Sequence, residues 1–305
     1  MSKKLINYLK WFWIIAVLAG AGWYFYTHFQ EISGYLSSLS LSRILISTIL
    51  FLVGKFLLSD ITRLSLKKVS RIIPYSEAFS ITSVTQLGKY LPGGIWHFAG
   101  KFGIYKVMGL STKGTTQAII YENIWLLSSA TIVGFFTLLI SSRDLFCEYL
   151  PFICGPTIAQ ILMVGLPVLW IAGLILFERL FFPGCKVVPL DFLLILVEQL
   201  ATWVLFGISY WLVFPPQSGY LMQIIGAFSL SWVAGYVAFF APGGIGIREF
   251  LLAVILGGFF VSHEVATYAT IHRLIWVFIE IILGAFSAVF IGLPKGVEKP
   301  SPDPH

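Results

Sequence analysis

The chain alternates long apolar stretches with short polar ones. A hydrocarbon core about 30 Å thick requires about 20 apolar residues in helical form. Residues 11–29, 41–59, 117–140, 157–177, 190–214 and 265–292 each meet that length. The first of them is long, carries Trp11 and Trp23 toward its ends and lacks a small-residue cleavage site, so a removable signal is not expected. Two further apolar stretches are interrupted. Residues 75–109 contain Pro92-Gly93-Gly94, and residues 221–260 contain Pro242-Gly243-Gly244. The pattern predicts an all-α polytopic membrane protein with about six full transmembrane helices and two re-entrant segments. If both breaks lie within complete crossings, the count rises to eight.

Composition agrees. Hydrophobic residues make up 58% of the 305, aromatics 16% and charged residues 11%, against roughly 25% charged in soluble domains. The mean hydropathy is +0.89. So few charges cannot cover a water-exposed surface. A soluble enzyme, a disordered chain and a secreted disulfide scaffold are thereby excluded. The net charge of +6 would suggest nucleic acid in a soluble protein. Here the basic residues cluster between apolar runs, as expected for orientation against an anionic leaflet, and no nucleic-acid partner is expected.

The clusters give the orientation. Lys3, Lys4 and Lys10 precede the first span and place the N-terminus in the cytoplasm. Arg63, Lys67, Lys68 and Arg71 follow the second. If the first broken stretch dips in and returns, Lys101, Lys106 and Lys113 are also inside. The loop 141–156 then lies outside, 178–189 inside and 215–220 outside. If the second broken stretch also returns, the last span runs inward and Lys295 and Lys299 are cytoplasmic. Residues 61–74 read as a basic interfacial segment. The tail, rich in Pro and charge, is expected to be disordered.

Both breaks carry Pro-Gly-Gly-Ile, at 92–95 and 242–245, with an aromatic two residues earlier, Tyr90 and Phe240. The first is reached from the cytoplasm and the second from outside, the arrangement of an inverted repeat whose discontinuous helices meet near the midplane. Pro removes a backbone donor and two Gly residues permit left-handed backbone, so the helix stops. Freed backbone groups at that depth are tolerated only beside a cavity or buried protein. A helix restarting near Ile247 offers the positive end of its dipole to an anion, with Arg248 and Glu249 at the restart. His97 and Lys101 follow the other break. The alternative is an ordinary interfacial turn with Arg248 reaching headgroups.

Glu122, Glu198, Arg273 and Glu280 fall within predicted spans, as does Lys55. Ionisable groups there are costly and face a bundle interior or cavity. Arg273 and Glu280 share a helix face two turns apart, so each is expected to find a partner on another helix. Helix-gluing ion pairs are the plain alternative to function, and for Glu198 the two readings stand level. The five histidines are scattered without metal-ligand spacing, so neither a metal nor another cofactor is expected. Cys147 and Cys154 either pair across an outer loop or stay as free apolar thiols.

These residues resemble a known family. The run Gly88-Lys89-Tyr90-Leu91-Pro92-Gly93-Gly94-Ile95-Trp96-His97-Phe98-Ala99-Gly100-Lys101, followed by Gly109-Leu110-Ser111 and Tyr121-Glu122, is similar to the first signature of the lysylphosphatidylglycerol synthase transmembrane family, also called the flippase-like domain family. Ala241-Pro242-Gly243-Gly244-Ile245-Gly246-Ile247-Arg248-Glu249 resembles its second, more specific signature. The resemblance implies an inner-membrane lipid translocator over residues 11–292, between a cytoplasmic stretch 1–10 and a tail 293–305. It implies functional roles for Pro92, Gly93, Gly94, Glu122, Pro242, Gly243, Gly244, Arg248 and Glu249, to which His97, Lys101, Arg273 and Glu280 are added from the residues themselves. With the chain ending soon after the last span, the fused aminoacyl-transferase domain of bifunctional members is not expected, and neither is synthase activity. Membrane lipids, phospholipid or polyprenyl-linked, are the expected partners, with an envelope glycosyltransferase or an aminoacyl-transferase as a possible associate. The competing expectation is an enzyme or scaffold of an envelope polysaccharide or lipid-modification pathway.

Overall fold

A computed structural model describes residues 26, 29–37, 39–90, 95–144, 147, 155–183, 188–215, 219–238 and 241–294. All regular structure among them is helical: α1 (Phe29–Ser37), α2 (Leu41–Lys68), α3 (Tyr75–Gln86), α4 (Trp96–Val107), α5 (Thr112–Ser141), α6 (Pro156–Phe181), α7 (Pro189–Trp211), α8 (Leu221–Val237), α9 (Ile247–Leu256) and α10 (Ser262–Phe286). A 3₁₀ turn Leu87–Tyr90 follows α3, another at Pro242–Gly244 precedes α9, and α10 ends in a π turn, Ser287–Ile291. Among the described residues five helices, α2, α5, α6, α7 and α10, are long and apolar enough to cross a bilayer. The protein is a multi-pass membrane protein. Most of the predicted first span, 11–29, the stretch 91–94 with the first Pro-Gly-Gly, and residues 295–305 lie outside the described residues.

Three sequence expectations are corrected. The second span does not end at residue 59 but continues to Lys68, about 42 Å for its 28 residues. Residues 61–68 are therefore helix interior: Ile61, Thr62, Leu64, Ser65 and Leu66 are buried. The apolar and small polar residues between the basic ones face α3 and α5. The helix stops at a Schellman closure. Ser70 takes a left-handed backbone (φ 62°), and the Arg71 and Ser70 amides donate to Leu66 and Lys67 carbonyls at 2.9 and 3.2 Å. Next, α5 begins at Thr112, capped by Ser111 Oγ accepting from the Gly114 amide at 3.0 Å. Glu122 is thus almost three turns inside its helix rather than one. Finally, Glu178 is no loop residue. It lies within α6, 2% exposed, and accepts from Lys68 Nζ at 2.6 Å and from Tyr121 OH. These contacts tie α6, otherwise mostly exposed and packed chiefly on α5, to the rest of the bundle. Cys147 is disulfide-bonded, while Cys154 lies outside the described residues.

α7 lies against α2, α5 and α8. Their shared core is aromatic: Phe51 stacks on Phe206, and Trp203 meets Trp232 at a tilt of 55°. Ser47 and Ser209 exchange hydrogen bonds between α2 and α7, and Ser209 also meets His272 Nε2 at 3.0 Å. Arg43 Nε and Nη2 donate to the Leu212 and Phe214 carbonyls at 3.0 and 2.8 Å. A cation thereby satisfies the C-terminal end of α7. The α7–α8 contact is close at Gly207, where an added Cβ would stand 2.8 Å from Ile225 Cα. Backbone cannot yield as a side-chain tip can. Gly207→Ala is therefore expected to destabilise the bundle by about 1–3 kcal/mol, read as a lower thermal midpoint in detergent with no change in membrane insertion.

The two broken stretches fold back on themselves. A Cβ on Gly88 would touch the His97 amide, and one on Gly100 would touch the Thr85 side chain at 3.3 Å. Contacts move outward from the break on both arms, so α3 and α4 form an antiparallel hairpin. Likewise Gly235 of α8 lies against Gly244 and Arg248. α3 itself is short and carries buried Ser80, Thr82, Ser83 and Thr85. At 12 residues each, α3 and α4 are about 18 Å long, well short of a hydrocarbon core.

Candidate functional site

The hairpin tips meet. The turn Leu87–Tyr90 packs against Pro242–Gly244, and Tyr90 lies beside Gly243. The second break is built from left-handed glycines: Gly243, Gly244 and Gly246 have φ of 58°, 73° and 85°. Gly244 has a further reason to lack a side chain, because a Cβ there would stand 2.7 Å from Gly235 Cα and 3.0 Å from Arg248 Nε. The break therefore makes the channel in which the Arg248 stem lies.

Around this junction sits a dense charge cluster. Glu280 of α10, 3% exposed, accepts from Lys55 of α2, from Lys89 Nζ at 2.6 Å, from Tyr90 OH at 2.5 Å and from Trp276 Nε1 at 2.6 Å. Glu249 accepts from the Gly246 amide at 2.8 Å, capping α9, and from Arg273 Nη1 at 2.8 Å. Arg273 Nη2 donates to the Gly243 carbonyl at 2.7 Å. Arg273 and Glu280, expected to find partners on other helices, do so. Glu249 serves Arg273 and the helix end; it does not orient Arg248.

Arg248 stands apart. Its guanidinium lies 5.5 and 5.4 Å from the ring centroids of Trp232 and Trp276. Its Nε is buried without a hydrogen-bond partner, and no carboxylate pairs with it among the described residues. Among the described residues Lys55, Lys89, Arg248 and Arg273 face Glu249 and Glu280, so positive charge there is in excess by two. The cavity here, lined by Lys89, Tyr90, Arg248, Arg273, His272 and Trp276 among others, has a free volume of about 30 Å³. That is room for about two waters.

His97, Lys101 and Glu122 form a second, separate group. Glu122 pairs with Lys101 and accepts from Tyr105 OH and Ser65 Oγ at 2.6 and 2.7 Å. Lys101 Nζ also donates to Thr62 Oγ1 at 3.0 Å. His97 Nε2 lies 3.3 Å from Tyr236 OH, which bonds Asn123. This group is charge-balanced, with its polar atoms largely engaged.

Of the expected site residues, then, Gly243, Arg248, Glu249 and Arg273 line one cavity, Gly244 and Glu280 stand behind its lining against Arg248 and against Lys89 and Tyr90, and His97, Lys101 and Glu122 line the neighbouring cavity. Pro242 opens the second turn. Pro92, Gly93 and Gly94 lie outside the described residues. Glu198, left open between glue and function, is in neither cavity; it lies beside the Asp60–Arg63 ion pair. Sequence reasoning missed Lys55, Lys89 and Tyr90 as site members. Lys55 carried the same signal as Glu280, a charge inside an apolar span. Lys89 and Tyr90 sit next to the first break and could have been paired with it. Compared with known proteins, the chain matches no family model and no curated sequence.

Proposed function

We propose that the protein moves lipids with anionic headgroups across the bilayer of an inner membrane. The observation that carries this reading is Arg248, a cation whose Nε is buried without a hydrogen-bond partner and which no carboxylate pairs among the described residues, where two helix breaks meet in a cluster with excess positive charge. A buried unpaired charge is expensive, and an arrangement that keeps one is suited to a ligand that supplies the missing anion. Arg presents parallel donors that match a phosphate, and Lys89 adds a second cation beside it. In the conformation described, the cavity is too small for a phosphodiester, so binding requires the hairpin tips to part.

The two hairpins are re-entrant in this reading, one from each side, giving the inverted repeat and a site near the midplane. Both termini are cytoplasmic. The resemblance to the flippase-like family supports the same assignment, and the absence of a nucleotide-binding motif in the sequence points to passive or ion-coupled movement. Topology is checked by single cysteines. Positions Ser2, Ser70 and Lys299 should react only from the cytoplasmic side, and Ser142 and Ser218 only from outside. External reactivity at Lys299 removes the second re-entrant hairpin and makes it a full span.

The functional test is reconstitution in liposomes with phosphatidylglycerol labelled on its headgroup. Movement between leaflets without chemical change is the expected result. Formation of a modified lipid would instead make the protein an enzyme, and absence of both would leave it a scaffold.

A further inference from the structure

An apolar groove runs along the outside of the bundle between α4 and α5. Phe98, Ala99, Phe102, Gly103, Ile119 and Ile120 line it, and its volume is about 580 Å³. This is far larger than either charged cavity. Its position relative to them is informative. Phe98 lines both the groove and the cavity that holds Lys101 and Glu122. His97 and Tyr236 line both that cavity and a narrow one of about 20 Å³ that reaches Lys89 and Arg248. Lys89, Gly243 and Arg248 in turn belong to the central cavity. Hydrocarbon surface at the periphery thus passes stepwise into cationic surface at the centre, through residues shared at every step.

We propose that the groove between α4 and α5 holds a hydrocarbon chain of the lipid whose anionic headgroup reaches Arg248 past His97 and Tyr236. The proposal rests on the translocator reading above and adds the side from which the lipid comes and the residues it passes. An amphiphile with its chain in the groove places its polar end at Phe98, beside Lys101. From there the way to Arg248 crosses the His97–Tyr236 contact, whose polar atoms are 3.3 Å apart. Both side chains end in groups that can exchange that contact for a phosphate oxygen. The tail need not leave the apolar groove while the headgroup moves inward. A peptide segment is a poor occupant, because a lining almost wholly of carbon leaves backbone polar groups unsatisfied in the membrane.

Gly103 supplies a clean perturbation. A Cβ there would meet no atom within 4 Å, so Gly103→Leu fills groove space without displacing backbone. Three probes are used on the full chain: phosphatidylglycerol with a diazirine in one acyl chain, in nanodiscs; long-chain headgroup-labelled phosphatidylglycerol, in liposomes; and water-soluble dihexanoyl phosphatidylglycerol, in detergent. Photolabelling should concentrate on Phe98, Ala99 and Phe102 over the lipid-facing Leu169 and Leu180. Gly103→Leu should remove that preference and slow long-chain movement at least about tenfold. It should leave dihexanoyl binding at the parent level. Even labelling of all lipid-facing positions, or parent-rate movement in Gly103→Leu, overturns the groove assignment. Dihexanoyl binding that is indifferent to Arg248→Ala instead overturns the headgroup reading, whatever the labelling pattern.

Discussion

Arg248→Ala is expected to abolish lipid movement while leaving the fold intact. Two features of the site make this separation possible. Among the described residues Arg248 makes no ion pair, so its removal strands no carboxylate there. Its stem fills the channel left by Gly235 and Gly244, so truncation leaves space next to two tryptophans rather than a clash. Stability should change little, and the thermal midpoint in detergent should stay near that of the parent. Movement of headgroup-labelled phosphatidylglycerol should fall much further, because hydrogen bonds to a charged group are worth about 1.5–3 kcal/mol each and a phosphate takes two from one guanidinium. That amounts to more than about a hundredfold. Arg248→Lys keeps the charge, loses the fork, and should retain a measurable but strongly reduced rate. A purified Arg248→Ala protein that moves lipid at the parent rate would sink the mechanism and return the residue to an anchoring role.

Glu280→Gln should do the opposite, lowering stability before function can be assessed. Glu280 is the one carboxylate among four donors, two of them Lys55 and Lys89. Neutralising it leaves both ammonium groups facing each other in a buried site. Removing one partner of a buried pair costs about 3–5 kcal/mol. The bundle is expected to unfold at markedly lower temperature. The specific check is compensation. Lys55→Met in the same protein removes one stranded cation and should restore a large part of the loss, whereas Lys55→Met alone leaves Lys89 on Glu280 and should cost less. Independent, additive effects of the two substitutions would show that the pair is not coupled as the geometry requires.

Much of this was legible in one dimension. Membrane class follows from the length and apolarity of the runs, since lipid admits few other solutions for a backbone. The helix breaks follow from Pro242-Gly243-Gly244, a sequence unable to continue a helix, and the left-handed glycines bear this out. Arg248, Arg273 and Glu280 could be singled out because a charge in an apolar span demands a reason. What failed were boundaries and partners. The second span was cut short at residue 59 because polar Asp60, Thr62, Arg63 and Ser65 mimic an interface, though several of them are buried against neighbouring helices. Glu178 read as loop for the same reason.

The sequence by itself therefore determined the solvent of this protein, the places of most long helices among the described residues, and the points where two stretches must break. Those properties depend on residues close together in the chain. Only the tertiary structure decided that both broken stretches are hairpins, that their tips touch, and that Glu280 belongs to Lys55 and Lys89 while Glu249 belongs to Arg273. It also left Arg248 without a carboxylate partner among the described residues. Pairing between residues as far apart as Lys55 and Glu280 is set by which helix faces pack together, and one apolar face looks much like another to any rule that reads hydropathy along a single helix.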